Sequence, residues 1–176
     1  KDITYVVTKA SKAAMKLEAP AMTADTQSIN VGGIEVQAIY AGRAHTGGDL
    51  LVYLPKQKFL FMSEVYLNRV FPAMRSAYPS EWVGVIDKAL TMNVDRFIPG
   101  HGFIEEAKVS REELVECQKA LRAVIAEVNR LHQLGLTAEE ASKQANWGPY
   151  KEWFLAEQQG PIAVRKVFEE IAGKLK

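Results

Sequence analysis

Strands and helices alternate along this chain, and helices take over its last third, which predicts an α/β fold, or α+β in some schemes. Three observations carry that prediction. Two short apolar runs, residues 50–54 and 59–62, are separated by the turn Pro55-Lys56-Gln57-Lys58 and read as a hairpin of strands. Gly32-Gly33 sits between two further strand-like runs. Two capping signatures, Ser110-Arg111-Glu112-Glu113 and Thr137-Ala138-Glu139-Glu140, announce helices in the last third.

The elements follow in order. Ile3-Thr4-Tyr5-Val6-Val7 reads as a short β-branched strand. Thr8 is placed to cap a helix over 9–17, with Ala10, Ala13, Ala14 and Leu17 on one face and Pro20 to end it. Residues 19–28 read as loop. Strands over 28–31 and 34–40 flank the glycine pair, the second alternating as Ile34, Val36, Ala38 and Tyr40. The apolar strands 50–54 and 59–62 predict a sheet covered on both faces. Residues 67–79, with Pro72 and Pro79, read as irregular. Ser80 is placed to cap a helix over 81–92 that turns Trp82, Val85, Ile86 and Leu90 inward. Residues 96–98 form a short strand running into Pro99-Gly100-His101-Gly102. A long helix over 111–134 carries Leu114, Leu121, Ile125, Val128 and Leu131, and Gly135 stops it. A last helix runs from Pro161, a residue favoured in a first turn, to about 172. The domain reading is one whole or partial domain over 1–176, with a sheet-bearing part, 1–108, and C-terminal helices, 109–176.

Composition narrows the function classes. The 176 residues suffice for one real core. The 22 basic and 21 acidic residues give a formal net charge of +1 with no basic run, so no nucleic-acid partner is expected. No apolar stretch is long enough to span a bilayer, so no membrane is expected. Cys117 is the one cysteine, which rules out an internal disulfide; it reads as a small helix residue, not a nucleophile. A single cysteine fits a reducing compartment and favours a soluble, cytoplasmic location. The chain opens at Lys1 without a charged-then-apolar signal segment, as a processed product or a fragment would.

Two histidines and a glutamate are the candidate site. His45 and His101 each follow a strand-like run and lie in a glycine turn, and Glu64 follows the apolar run ending at Met62. Imidazole and carboxylate groups held at strand ends are what a zinc site uses; the alternative is a set of ordinary loop side chains. His132 reads as a helix packing residue, and Asp49 as the holder of the Gly47-Gly48 turn. The cluster Trp147-Gly148-Pro149-Tyr150-Lys151-Glu152-Trp153-Phe154 reads as packing for the C-terminal helix, with a ligand pocket as the alternative. There is no G-x-S-x-G elbow and no phosphate-binding glycine loop followed by lysine.

Taken together, three segments resemble the metallo-β-lactamase superfamily. They are Ala44-His45-Thr46-Gly47-Gly48-Asp49-Leu50-Leu51-Val52-Tyr53-Leu54-Pro55, Lys58-Phe59-Leu60-Phe61-Met62-Ser63-Glu64 and Ile98-Pro99-Gly100-His101-Gly102. The Trp82 helix and the stretch from Gly135 to Ala141 also resemble hydrolase-like members. The resemblance implies the second half of a four-layer αββα sandwich with a helical C-terminal extension. It implies that His45 serves one zinc, that His101 serves a second, and that Glu64 stands where the family has the aspartate of a Gly-Asp pair. The extra methylene of Glu64 moves the carboxylate by about 1.5 Å at most.

The family's His-x-His-x-Asp-His motif does not occur in this chain. At most three ligands remain, and in the family they serve different ions. The resemblance therefore implies two zinc ions in an intact member and weak or no zinc on the chain alone, which is then expected to be inactive. Two functions stay open. One is the C-terminal part of a zinc hydrolase acting on a small ester, thioester, lactam, lactone or phosphoester. The other is a non-catalytic relative serving as a binding or assembly module. Either implies a partner for the bare half of the sandwich: an N-terminal half or a second copy of the chain.

Overall fold

The computed structural model describes residues 5–175. The strand expected over 3–7 lies partly outside the described residues, and Tyr5-Val6-Val7 form no strand. The elements are α1 (Lys9–Met15), β1 (Thr26–Val31), β2 (Ile34–Ile39), β3 (Leu51–Leu54), β4 (Phe59–Phe61), a 3₁₀ turn (Ser63–Val65) and α2 (Pro79–Thr91). They continue with β5 (Arg96–Ile98), α3 (Ala107–Gln133), α4 (Ala138–Gln144), a second 3₁₀ turn (Gly148–Glu152) and α5 (Ala156–Ile171). The mixed α/β class expected from the sequence is observed. No described helix is long and apolar enough to cross a membrane.

One sheet runs in the order β1-β2-β3-β4-β5. The first three pairings are antiparallel and β4–β5 is parallel. The β1–β2 turn works because Gly32 (φ 59°) and Gly33 (φ 86°) both take the left-handed backbone that such a hairpin demands. Asn30 Oδ1 closes it by accepting the Gly33 N–H at 2.9 Å. Strands β4 and β5 can run parallel because α2 makes the crossover between them.

Register decides which residues meet the helices. Tyr53 pairs with Leu60, and Leu60 with Phe97, so these side chains share a face with Leu51 and Ile39. Leu51, Leu60 and Phe97 are fully buried in the main core with α2, α3 and α5. The other face carries Val52, Leu54, Phe59 and Phe61; none belongs to that core, and Phe61 is 41% exposed. The main core therefore covers one face only; on the other, Ala38 and Ile98 are buried outside that core and Val52, Leu54 and Phe59 are half-buried. A fully apolar strand reads the same whether its second face is covered or bare.

Several helix ends differ from the sequence reading, two of them because a distant partner takes the expected capping serine. Thr8 caps α1 as expected, accepting the Ser11 N–H, but α1 stops at Met15 with Lys16 left-handed, before Pro20. Its alanine face is not buried. The helix is instead moored by the Ser11 hydroxyl, which donates to the Gly48 carbonyl at 3.0 Å. Helix α2 starts with Pro79 at its first position. Ser80 is not its cap: its N–H and hydroxyl both donate to the Glu170 carboxylate of α5, at 3.1 and 2.8 Å. The Ser110 box does not form either. Helix α3 begins earlier, at Ala107, and the Ser110 hydroxyl accepts the Phe97 N–H at 3.1 Å, tying α3 to β5. The Thr137–Glu140 box forms in full.

Helix α5 starts at Ala156, which places Pro161 inside it instead of at its first turn. Gly160 makes that tolerable, because the clash between a proline ring and the preceding Cβ is absent. The same glycine leaves room for Trp147; a Cβ there would lie 2.9 Å from the indole Nε1. Trp147 stacks edge-on against Phe71 at 5.3 Å, and the Tyr150 hydroxyl donates to Glu116 at 3.1 Å. Most of the aromatic cluster thus fastens the C-terminal helices to the core, as the sequence suggested.

Candidate functional site

Parallel neighbours β4 and β5 end on the same edge of the sheet, and the chain leaving each is bound to the other. Met62 N–H donates to the Ile98 carbonyl at 2.9 Å. Gly100 N–H reaches the carbonyls of Ser63 and Tyr66 at 2.9 and 3.0 Å, and Asn68 N–H donates to the His101 carbonyl at 3.0 Å. This zipper brings two of the three candidates together. Glu64 Oε1 lies 2.8 Å from His101 Nε2. The pair is open to solvent, with the His101 side chain 63% and the Glu64 side chain 34% exposed.

The glycines on either side of His101 make the approach possible. A Cβ on Gly100 would stand 2.5 Å from the carbonyl carbon and oxygen of Ser63. Gly102 has φ 94°, and a Cβ there would lie 2.0 Å from the Asn68 carbonyl oxygen. Across from them Ser63 itself is left-handed, at φ 49°. A glycine would hold that conformation without strain, and the family resemblance expects glycine at this position. Ser63→Gly is therefore expected to raise stability by about 0.5–1 kcal/mol, the left-handed strain less the glycine entropy. Denaturant unfolding checks it; a lower midpoint would contradict the strain argument.

His45 sits in a separate turn. Asp49 holds that turn, accepting the Thr46 N–H at 2.7 Å and the Thr46 hydroxyl at 2.8 Å. The structural role read for Asp49 is thus the one it has. The His45 ring meets Trp82 edge-on at 5.7 Å, and its buried Nδ1 has no hydrogen-bond partner among the described residues. Trp82 links the two turns, because its Nε1–H donates to the carbonyl of Val65, next to Glu64, at 2.9 Å. Among the described residues no three His, Cys, Asp or Glu side chains form a metal-holding group. A catalytic zinc needs about three protein ligands, so Glu64 and His101 do not by themselves fit one.

The other titratable candidates take structural places. His132 is exposed and packs edge-on against Phe168 at 5.1 Å. Burial pushes the Cys117 thiol up to about 11, which suppresses the thiolate a nucleophile needs. Sequence reasoning missed a cavity of about 560 Å³ beside the Glu64–His101 pair. Its walls include Leu67, Val70, Phe103 and Phe154, drawn from three separate segments. The aromatic cluster did signal one of them: Phe154 points out of the packed group and is 68% exposed.

No family model matches the chain. Its overall shape matches the sec-alkylsulfatase Pisa1 from Pseudomonas sp. with TM-score 0.66 and 17% identity, over 88% of this chain and 26% of that one. It matches the DIM-1 metallo-β-lactamase with TM-score 0.54 and 21% identity, over 66% of this chain and 57% of that one. The chain has the metallo-β-lactamase fold. A metallo-β-lactamase from Pontibacter korlensis gives TM-score 0.56 at 19% identity, over 66% of this chain and 58% of that one. In sequence, 74 residues are 26% identical to the 2,4-dinitroanisole O-demethylase subunit alpha of Nocardioides sp. (strain JS1661), over 42% of this chain and 23% of that protein. This metallo-β-lactamase-fold chain thus spans about a quarter of the demethylase subunit and of the alkylsulfatase.

Proposed function

We propose that the chain supplies part of the active site of a zinc-dependent hydrolase, with Glu64 and His101 at its centre and His45 beside them. The observation that carries this reading is the Glu64–His101 contact, 2.8 Å across the ends of adjacent parallel strands. A carboxylate against an imidazole fixes the ring and its tautomer, and such a pair can hold and pass a proton. The 2.8 Å approach of Glu64 Oε1 to His101 Nε2 puts the carboxylate beside the nitrogen through which the ring would exchange that proton. The proteins of similar fold are named for sulfate-ester and β-lactam chemistry, which supports hydrolysis as the class and leaves ester, thioester, lactam and lactone substrates open. The ligands that would complete a metal site come from outside the described residues, on another segment or another polypeptide.

The test uses the full-length gene product. About one zinc or more per protein, with hydrolysis of at least one substrate class that a chelator abolishes, supports the reading. Zinc well below one equivalent together with no hydrolysis across an ester, thioester, lactam and lactone panel overturns it.

A second reading, a binding or assembly module, is favoured by the sheet face bearing Val52, Leu54, Phe59 and Phe61 outside the core. An apolar face of that kind marks a contact surface. Light scattering at micromolar concentration checks this reading: a folded species that stays monomeric at all concentrations counts against it.

A further inference from the structure

The cavity beside Glu64 and His101 has two unlike ends. At one end stand the carboxylate and the imidazole. The rest is lined by Leu67, Val70, Ala73, Phe103, Phe154 and Leu155. Arg69 is the other charged wall residue, and its guanidinium is taken up by the Glu113 carboxylate. No unpaired charge therefore faces the apolar part from the described walls. The volume, about 560 Å³, is that of a small-molecule site.

The two large aromatic walls are exposed yet held in place. Phe103 is 65% and Phe154 68% exposed. The Asn68 amide donates to the Phe103 carbonyl at 2.8 Å. Phe154 N–H donates to the Arg69 carbonyl at 3.3 Å, and its own carbonyl accepts the Phe71 N–H at 2.9 Å. One segment, residues 68–71, thus fixes the backbone behind both rings. Asn68 is 1% exposed, lines the cavity, and keeps an Oδ1 with no partner among the described residues. Apolar rings pinned at the mouth of a cleft, above a buried unpaired acceptor, describe a binding site better than an idle surface.

We infer that this cavity binds the uncharged hydrocarbon part, alkyl or aryl, of a small-molecule substrate whose polar, scissile end faces Glu64 and His101. The inference rests on the hydrolase reading of that pair. An apolar tail gains free energy in proportion to the surface it removes from water, and Phe103 and Phe154 supply much of that surface. Apart from the Asn68 Oδ1, the apolar walls offer a hydroxyl or charge at the far end of the tail no partner, and burying it there costs affinity.

The probes are 1-octanol and 1,8-octanediol, titrated into the full-length protein by ligand-observed NMR, with p-nitrophenyl acetate and octanoate as hydrolysis substrates. Octanol is expected to bind saturably and about tenfold or more tighter than the diol. Phe103→Ser and Phe154→Ser are each expected to weaken octanol binding about fivefold or more while leaving the melting temperature unchanged, since both rings are largely exposed. They are also expected to raise KM for octanoate by a larger factor than KM for acetate. No saturable octanol binding, or equal binding by both variants and the parent, overturns the cavity assignment even if esters are hydrolysed. Octanol binding that the variants weaken, with zinc well below one equivalent and no hydrolysis across the ester, thioester, lactam and lactone panel, overturns the hydrolase reading and leaves the cavity assignment standing.

Discussion

Gly102→Ala is expected to cost about 3–5 kcal/mol, a left-handed strain of about 1–3 plus a backbone displacement of similar size. The reason is local and severe. The added Cβ would lie 2.0 Å from the Asn68 carbonyl oxygen and 2.9 Å from its carbon, and neither atom can swing aside as a side-chain tip would. The same movement would break the Asn68–His101 backbone bond and carry the imidazole away from Glu64. Gly135→Ala is the control. Gly135 is also left-handed, at φ 79°, but nothing lies within 4 Å of a Cβ there, so the expected loss is about 1 kcal/mol. Chemical denaturation of both variants at an unchanged m-value separates strain from collision. Equal losses at the two positions would mean that the His101 loop is not clamped as described.

The second large effect is at Trp82. Its side chain is 1% exposed in the middle of the core, and it touches both halves of the site: edge-on to His45, and by Nε1–H to the carbonyl beside Glu64. Trp82→Ala is expected to lose about 3–5 kcal/mol from the cavity it leaves, a large share of a domain's usual stability of about 5–15 kcal/mol. Trp82→Phe keeps much of the volume but strands the Val65 carbonyl, at a cost of about 1–3 kcal/mol. Thermal unfolding of the pair should therefore rank Ala well below Phe. A Trp82→Ala protein as stable as the Phe variant would contradict this placement of the indole.

Strands β1 to β5, the Gly32-Gly33 hairpin and the Thr137 capping box were legible because each is specified within a few residues by periodicity, backbone freedom or a side chain reaching its own helix. The two serine caps were misread for the opposite reason. Ser80 answers to Glu170 and Ser110 to Phe97, partners that only the tertiary fold supplies. The meeting of Glu64 and His101 was readable as two strand-end residues of metal-site type, but their distance depends on β4 and β5 being parallel neighbours, and no spacing along the chain encodes that. Of the cavity only the Phe154 wall was signalled, by the aromatic cluster. Leu67, Phe103 and Phe154 lie far apart in sequence, and each alone looks like an ordinary apolar residue.

The most direct test of the site is the hydrolytic kcat/KM of the full-length protein bearing His101→Ala or Glu64→Gln. Both side chains are partly or largely solvent-exposed, so melting temperatures should stay near the parent value. The account predicts a fall of about 100-fold or more in each variant, the scale of losing a catalytic proton carrier or the group that orients it. Hydrolysis within about threefold of the parent in both variants, about 0.7 kcal/mol in barrier, would place the chemistry elsewhere and contradict it.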